Sequence, residues 1–185
     1  MTIKDVIKRL NNAQKPAKFL GFDIFIRRSN DLRKDINGKT IRSLGHVPVL
    51  YLNYETMRKK LFDYKAARIA VENGKEIWKS IVRTYMIDLD DLEIVSQFNA
   101  EIRGFYNYYS IANNSPAINS FYHIMSYSMY KTFARKYKSS VKKILFQYKK
   151  DGTFKVAYEN SKGKTLYQSF YHDGFKRKKI AGATS

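Results

Sequence analysis

Residues 90–109 read DDLEIVSQFNAEIRGFYNYY, and this stretch carries the clearest structural signal in the chain. Asp90 and Glu93 have the spacing of a capping box, in which two acidic side chains bind the free amides at a helix start. Apolar residues then recur at intervals of three and four, namely Leu92, Val95, Phe98, Ile102, Phe105 and Tyr109. The pattern predicts one long amphipathic helix whose apolar stripe lies in the core.

Three other helices are predicted around this one. Asn53 suits the N-cap of a helix that continues to about Ala70, and Asn73-Gly74 ends that pattern. Ser115 followed by Pro116 begins a helix to about Lys138, because proline favours the first helical position. Ser139 and Ser140 precede a short helix over 141–148. Residues 3–10 could form two helical turns, and no state is predicted for residues 75–88.

Strands are predicted at both ends of the chain. Asn37-Gly38 supplies a tight turn, so we expect a strand–turn–strand unit over 18–44, with a further short strand at 47–52. Alternating residues from Phe154 to Tyr158, then a turn and 166–171, predict a C-terminal hairpin. The fold class is therefore α+β: a hairpin-rich start, a middle bundle of three to four helices and a closing β-hairpin. These three parts are predicted to cover 1–52, 53–150 and 151–175, and a frayed basic tail is expected over 176–185.

Composition narrows the function classes. The chain has 185 residues, 35 basic and 16 acidic side chains, a net charge of +19 and no cysteine. The missing cysteines exclude a disulfide scaffold, a zinc ribbon and thiol catalysis. The first expected partner is nucleic acid, because a polyanion relieves the self-repulsion of so basic a domain. An acidic membrane surface or an acidic protein is the alternative. Without a spanning segment or signal peptide, we expect a cytoplasmic protein with no membrane partner.

The basic residues are concentrated where acidic residues are missing. No acid occurs between Glu101 and Asp151, and nine basic residues fall there: Arg103, Lys131, Arg135, Lys136, Lys138, Lys142, Lys143, Lys149 and Lys150. Five of them recur at helical spacing and predict a cationic ridge along a phosphate backbone: Lys131, Arg135, Lys138, Lys142 and Lys143. A merely solvated face is the alternative.

No self-contained catalytic motif is present. Residues 85–91 read YMIDLDD, which breaks the Tyr-x-Asp-Asp string of reverse transcriptases, and Asp90 and Asp91 suit a helix start. Three scattered histidines and isolated glycines form neither a metal site nor a phosphate loop. We therefore expect no catalytic residue, no metal site and no cofactor in this chain.

The helix at 90–109 carries polar residues outside its apolar stripe. Arg103, Tyr106 and Asn107 are expected to face away from the core, where arginine binds phosphate and asparagine reaches a ribose hydroxyl or a base edge. An exposed tyrosine would stack on an unpaired base, although half-buried packing is the alternative for each tyrosine.

Three strings together resemble the carboxyl-terminal part of the group II intron-encoded reverse transcriptases, which are also maturases. They are AKFLGF at 17–22, NAEIRGFYNYY at 99–109 and SMYKTFARKYKS at 128–139, and the match runs from about residue 16 to 179. The resemblance implies that Phe19, Leu20, Gly21 and Phe22 form the primer-grip hairpin that ends the palm.

The helical region resembles the thumb, or maturase X domain, which clamps the template–primer duplex and binds intron RNA. Residues in two strings match the motifs of that domain: Arg103, Gly104, Asn107, Tyr108 and Tyr109, then Lys131, Thr132, Lys136 and Lys138. Among these, the resemblance implies nucleic-acid binding by Arg103, Asn107, Tyr108, Lys131, Thr132, Lys136 and Lys138. Gly104, in mid-helix, implies a close approach by another helix or backbone.

The same resemblance implies that the fingers and palm, with their Mg²⁺-binding aspartates, lie upstream of Met1. The chain is then no enzyme by itself but part of an RNA-directed DNA polymerase. Two alternatives stay open: a polymerase fragment that is active only with its palm domain, and a basic domain that binds any polyanion.

Overall fold

The computed structural model describes residues 16–27, 32–34, 36–42 and 47–178. The helical turns expected at 3–10 and the predicted tail beyond residue 178 lie outside these ranges. In the described residues the fold is α+β, as predicted, with antiparallel strands on both sides of a helical middle. None of the helices described there is long and apolar enough to span a bilayer.

An antiparallel sheet opens the fold. It contains β1 (Ala17–Phe19), β2 (Phe22–Arg27) and β5 (Val47–Leu52), in the order β1-β2-β5. A separate ribbon pairs β3 (Leu32–Lys34) with β4 (Thr40–Arg42). Gly38 lies between these two strands with a φ of +77°, the left-handed conformation that a tight turn requires. The predicted Asn37-Gly38 turn is confirmed. The single strand–turn–strand unit expected over 18–44 is wrong, because β2 pairs with β1 and β5, and β3 and β4 are the strands that pair across this turn.

The first helix is shorter than predicted. Helix α1 covers Tyr54–Asp63, and β6 (Ala67–Glu72) and β7 (Lys75–Ser80) follow as an antiparallel hairpin. Lys65 ends the helix by adopting a φ of +52°, and the Ala66 amide bonds back to the Leu61 carbonyl over 2.9 Å. The predicted extension to Ala70 is therefore wrong, and Asn73-Gly74 is instead the hairpin turn.

Three more helices form the bundle. They are α2 (Asp91–Tyr109), α3 (Ile118–Lys136) and α4 (Val141–Tyr148). Asp90 and Glu93 make the predicted capping box, and the Ser140 side chain accepts from the Lys143 amide at the start of α4. A short 3-10 turn, Ser115–Ala117, carries Pro116 into α3.

One ion pair lies inside the bundle. The Arg83 guanidinium is 2.7 Å from the Glu101 carboxylate, and the Arg83 side chain is wholly buried. The same guanidinium lies 4.0 Å from the centre of the Phe98 ring. The pair holds the segment before α2 against the middle of that helix.

The chain then closes with β8 (Lys149–Lys150), β9 (Thr153–Glu159) and β10 (Thr165–Ser169), in the order β10-β9-β8. Residues 170–178 follow as an irregular segment along α2, with a turn at Gly174 and Phe175, and we call this segment the strap. Phe170 and Phe175 of the strap are buried, and the Lys178 amide donates to the Ser110 carbonyl over 2.8 Å. The expectation of a frayed tail is therefore wrong for residues 176–178.

The connection between α2 and α3 completes the edge of the first sheet. The Asn113 and Asn114 side-chain oxygens accept from the Leu50 and Leu52 amides of β5, at 3.0 and 2.7 Å. The Asn114 amide group donates in return to the Leu52 carbonyl over 3.0 Å. The loop thus fixes the position of the sheet on the bundle.

Candidate nucleic-acid interface

The predicted primer-grip string forms a turn that rests on the end of α2. Leu20 and Gly21 join β1 to β2 with φ angles of +50° and +81°, and Leu20 is 64 % exposed. The Tyr108 hydroxyl donates to the Leu20 carbonyl over 3.1 Å, and the Thr56 hydroxyl donates to the Gly21 carbonyl over 3.2 Å. Helices α1 and α2 therefore both hold this turn.

The two phenylalanines of the turn differ in exposure. Phe19 is half-buried, whereas Phe22 is buried and stacks on Tyr108 with ring centroids 5.8 Å apart. The Tyr109 ring contacts both, with its centroid 5.1 Å from that of Phe22 and 4.7 Å from that of Tyr108. Two strings that the sequence separates by some 80 residues thus meet in one cluster, although the function of the turn stays a prediction.

The polar residues of α2 divide into exposed and buried. Arg103 and Asn107 are exposed, and the Arg103 guanidinium lies 4.9 Å from the centre of the Tyr171 ring. Tyr106 is buried, and its hydroxyl donates to the Lys176 carbonyl over 2.8 Å. The prediction that Tyr106 faces away from the core is wrong, because the strap covers that side of the helix. Burial, and next the charge of Asp173, raise the pKa of Tyr106 above its ordinary value.

Four cations of the predicted ridge are exposed. They are Arg135, Lys138, Lys142 and Lys143, and in the described part of the chain none of their side chains has an ion pair or hydrogen bond. Lys131 differs, since its half-buried ammonium donates to the Ser80 carbonyl over 2.7 Å. The free positive charge of the ridge therefore lies at the end of α3 and on α4.

Two more of the predicted residues have partners inside the protein. Thr132 is buried, donates to the Ser128 carbonyl over 2.8 Å and accepts from the Arg83 amide over 3.1 Å. Lys136 lies 2.7 Å from an Asp91 carboxylate oxygen. In this structure the Thr132 side chain cannot reach a ligand, and Lys136 is held in an internal ion pair.

Asp91 joins the ends of three helices. Its carboxylate accepts from the Tyr137 hydroxyl at 2.7 Å and from the Tyr148 hydroxyl at 2.8 Å, besides the Lys136 ammonium. Burial, and then hydrogen bonding within this cluster, raise the pKa of Tyr148 far above its usual range. Burial opposes the charged form of Lys136, but the hydrogen bond and charge of Asp91 raise its pKa overall. Asp91 therefore links the start of α2 to the ends of α3 and α4.

The string at 85–91 provides no metal centre. Met86 is buried in a 3-10 turn, Thr84–Met86, and Asp90 caps α2. No three His, Cys, Asp or Glu side chains in the described ranges are arranged to hold a metal ion. Mg²⁺ in a palm domain stays a prediction.

The sequence pattern missed some exposed and groove-forming residues. Phe146 of α4 is 91 % exposed, three and four residues after Lys143 and Lys142. The sequence could have indicated this exposure, because Phe146 lies outside the apolar stripe of α4. Lys60 of α1 and Tyr64, which directly follows that helix, line a groove with Gly104 of α2. No local pattern predicts this groove because the two helices are distant in sequence. Apart from its own turn of α2, no described residue lies within 4 Å of a Cβ built on Gly104, so the close approach by another helix or backbone that was expected there is wrong for the described chain.

The exposed basic residues at the end of α3 and on α4 form a cationic surface, and comparison with known proteins gives the family. The family model described as type II intron maturase matches residues 50–181. The chain belongs to this type II intron maturase family, which confirms the resemblance.

Particular relatives are the group II intron-encoded protein LtrA of Lactococcus lactis subsp. cremoris and its counterpart from strain MG1363. Each is 35 % identical over 156 residues, which cover 84 % of this chain and 26 % of the relative. The chain thus spans about a quarter of the length of these curated relatives.

Proposed function

We propose that this chain is the RNA-binding thumb/maturase module of a group II intron reverse transcriptase. In this role it clamps intron RNA and the template–primer duplex and so supports splicing and retrohoming. The observation that carries the proposal is the unpaired positive charge of Arg135, Lys138, Lys142 and Lys143, within a stretch that has no acidic residue between Glu101 and Asp151.

Helix α4 combines the two features that single-stranded nucleic acid requires. Lys142 and Lys143 offer cations to phosphates, and the exposed ring of Phe146 offers a stacking surface to a base. Arg103 and Asn107 on α2 supply a phosphate contact and a hydrogen-bonding group for a ribose hydroxyl. Phosphate contacts set affinity, whereas the asparagine contributes discrimination.

Filter binding of the full chain to structured group II intron RNA, across a salt series, tests the proposal. Each lost phosphate contact lowers the slope of log affinity against log salt by about 0.7–0.9, so Lys142→Ala with Lys143→Ala should lower it by about 1.4–1.8. Lys162→Ala with Lys164→Ala is the matched control, because both lysines are exposed in the β9–β10 turn. The control should leave the slope unchanged.

Asn107→Ala should leave the salt slope alone and reduce the preference for RNA over DNA. Weak binding that does not depend on salt would refute the proposal. Equal affinity for heparin, anionic liposomes and intron RNA would favour a general polyanion-binding domain.

The contacts of the Leu20–Gly21 turn favour a second candidate, a polymerase fragment that acts when a palm domain is supplied. Tyr108 and Thr56 hold the turn, so a primer-binding element would have a defined position on α2. Primer extension by the palm domain, with and without this chain, decides this candidate. No gain over the palm domain alone would reject it.

A further inference from the structure

A groove separates the end of α1 from the second half of α2. Its volume is about 340 Å³, and its lining residues are Lys60, Tyr64, Gly104, Phe105, Tyr108 and Tyr109. We call it the Gly104 groove. It lies next to the Leu20–Gly21 turn, because Tyr108 belongs to both.

Contacts within the described chain do not explain why residue 104 is a glycine. Glycine in a helix interior is less favourable than alanine by up to about 1 kcal/mol, and a neighbour that needs the space normally explains it. A Cβ at this position would meet no described atom within 4 Å outside its own turn of α2. The missing side chain therefore leaves backbone exposed on the floor of the groove, where something from outside the described chain can approach closely.

The chemistry of the lining favours an anion beside a flat, partly apolar group. Lys60 is the cation of the groove, with its ammonium 5.7 Å from the centre of the Tyr64 ring. None of the described lining residues is acidic. Glu101, one turn before Gly104, is neutralised by the Arg83 guanidinium at 2.7 Å. Tyr108 is 49 % exposed, and its aromatic ring forms a wall of the groove.

We propose that the Gly104 groove binds one sugar–phosphate unit of an RNA strand. The phosphate lies on the Lys60 ammonium, and the sugar packs over the Gly104 backbone against Tyr108. The groove is at the small end of the roughly 300–1,000 Å³ range of ligand pockets, which suits a unit of this size. The inference rests on the proposed function and adds Lys60 as a phosphate-binding residue of α1.

The first test compares neighbouring lysines in the salt series with the same intron RNA. Lys60→Gln should lower the slope by about one phosphate contact. Lys59→Gln removes the same charge from an exposed residue that does not line the groove, and should leave the slope unchanged. Equal slopes for the two variants would overturn the inference.

The second test fills the groove. Gly104→Leu should weaken binding about tenfold, the scale of one lost stacking contact, while thermal melting shows a helix at least as stable as before. Ala100→Leu places the same side chain at an exposed position one turn earlier and should leave affinity unchanged. If Gly104→Leu fails to fold, the lysine pair still decides.

The outcomes separate this inference from the proposed function. A steep salt slope that falls when Lys142 and Lys143 are replaced, but does not change when Lys60 or Gly104 is replaced, would reject the groove proposal and leave the proposed function intact. Binding without any salt dependence would reject both. Unchanged RNA affinity in Gly104→Leu, with altered self-association in ultracentrifugation, would assign the groove to a protein partner and overturn the inference.

Discussion

Gly21 is subject to two separate constraints. Its φ of +81° lies in the left-handed region, and a Cβ there would collide with the Tyr109 hydroxyl. The first constraint belongs to the turn between β1 and β2, and the second comes from α2. The position of the exposed Leu20 side chain therefore depends on both elements.

We predict that Gly21→Ala destabilises the chain by more than Gly163→Ala. Both glycines have positive φ angles, but apart from its chain neighbours no described atom lies within 4 Å of a Cβ at Gly163. The control should lose about 1–3 kcal/mol of unfolding free energy from backbone strain alone. Urea unfolding measures both values, and equal losses would contradict the collision.

A double variant isolates the collision. Tyr109→Phe removes the hydroxyl that an alanine at position 21 would meet. Gly21→Ala should therefore be less destabilising in the Tyr109→Phe background than in the original chain, a coupling that a double-mutant cycle measures.

At the scale of elements, the strap joins the C-terminal hairpin to the long helix. Asn99, in the middle of α2, donates to the Ser169 carbonyl over 2.8 Å and accepts from the Tyr171 amide over 2.7 Å. Further along, Phe175 is wholly buried against Tyr106 and Tyr122. The strap therefore covers α2 over much of its length.

We predict that Phe175→Ala lowers the unfolding free energy by about 3–5 kcal/mol, the usual cost of truncating a buried phenylalanine. Tyr167→Ala is the control, because its side chain is 54 % exposed and surface changes usually cost less than about 0.5 kcal/mol. Limited proteolysis should also cut the Phe175→Ala chain faster near the strap. A similar loss in both variants would mean that the strap contributes little.

Local patterns predicted the elements whose signals are local. The capping box and the apolar spacing placed α2 correctly, and Asn37-Gly38 marked a true turn. The end of α1 escaped prediction because Lys65, not a glycine, adopts the positive φ that stops the helix.

Site residues were harder to predict than elements. Tyr106 has the spacing of an exposed residue, yet a strap some 70 residues later covers it. Thr132 and Lys136 were predicted to bind nucleic acid, but each has a partner inside the protein. These partners, Arg83 and Asp91, belong to other parts of the fold. Side chains whose partners are distant in sequence leave no periodic signal, so their burial follows only from the tertiary structure.

At the scale of the whole molecule, buried tyrosines make stability depend on alkaline pH. Burial is the first cause of a raised pKa in eight described tyrosines, which are Tyr64, Tyr106, Tyr109, Tyr122, Tyr130, Tyr137, Tyr148 and Tyr171. Each favours the folded state fully below the unfolded pKa of about 10. Above that pH the unfolded chain loses protons that the folded chain retains, so stability falls.

We predict that the unfolding free energy decreases between about pH 9 and about pH 11. Charge repulsion alone would act the other way, because lysine deprotonation reduces the net charge of +19. Urea unfolding at several pH values measures the slope. Tyr148→Phe should make the decrease smaller, and Tyr167→Phe, at an exposed position, should leave it unchanged. A rise in stability over this range would refute the prediction.

The Asn113–Asn114 loop also affects how molecules of this chain can associate. A strand edge with free amides and carbonyls is a template for pairing with another chain, and it promotes aggregation. Here the two asparagine side chains accept hydrogen bonds from the Leu50 and Leu52 amides, in the way that the carbonyls of a neighbouring strand would. A second molecule therefore cannot extend the sheet at these positions, and Asn113→Ala with Asn114→Ala would expose this edge to intermolecular pairing.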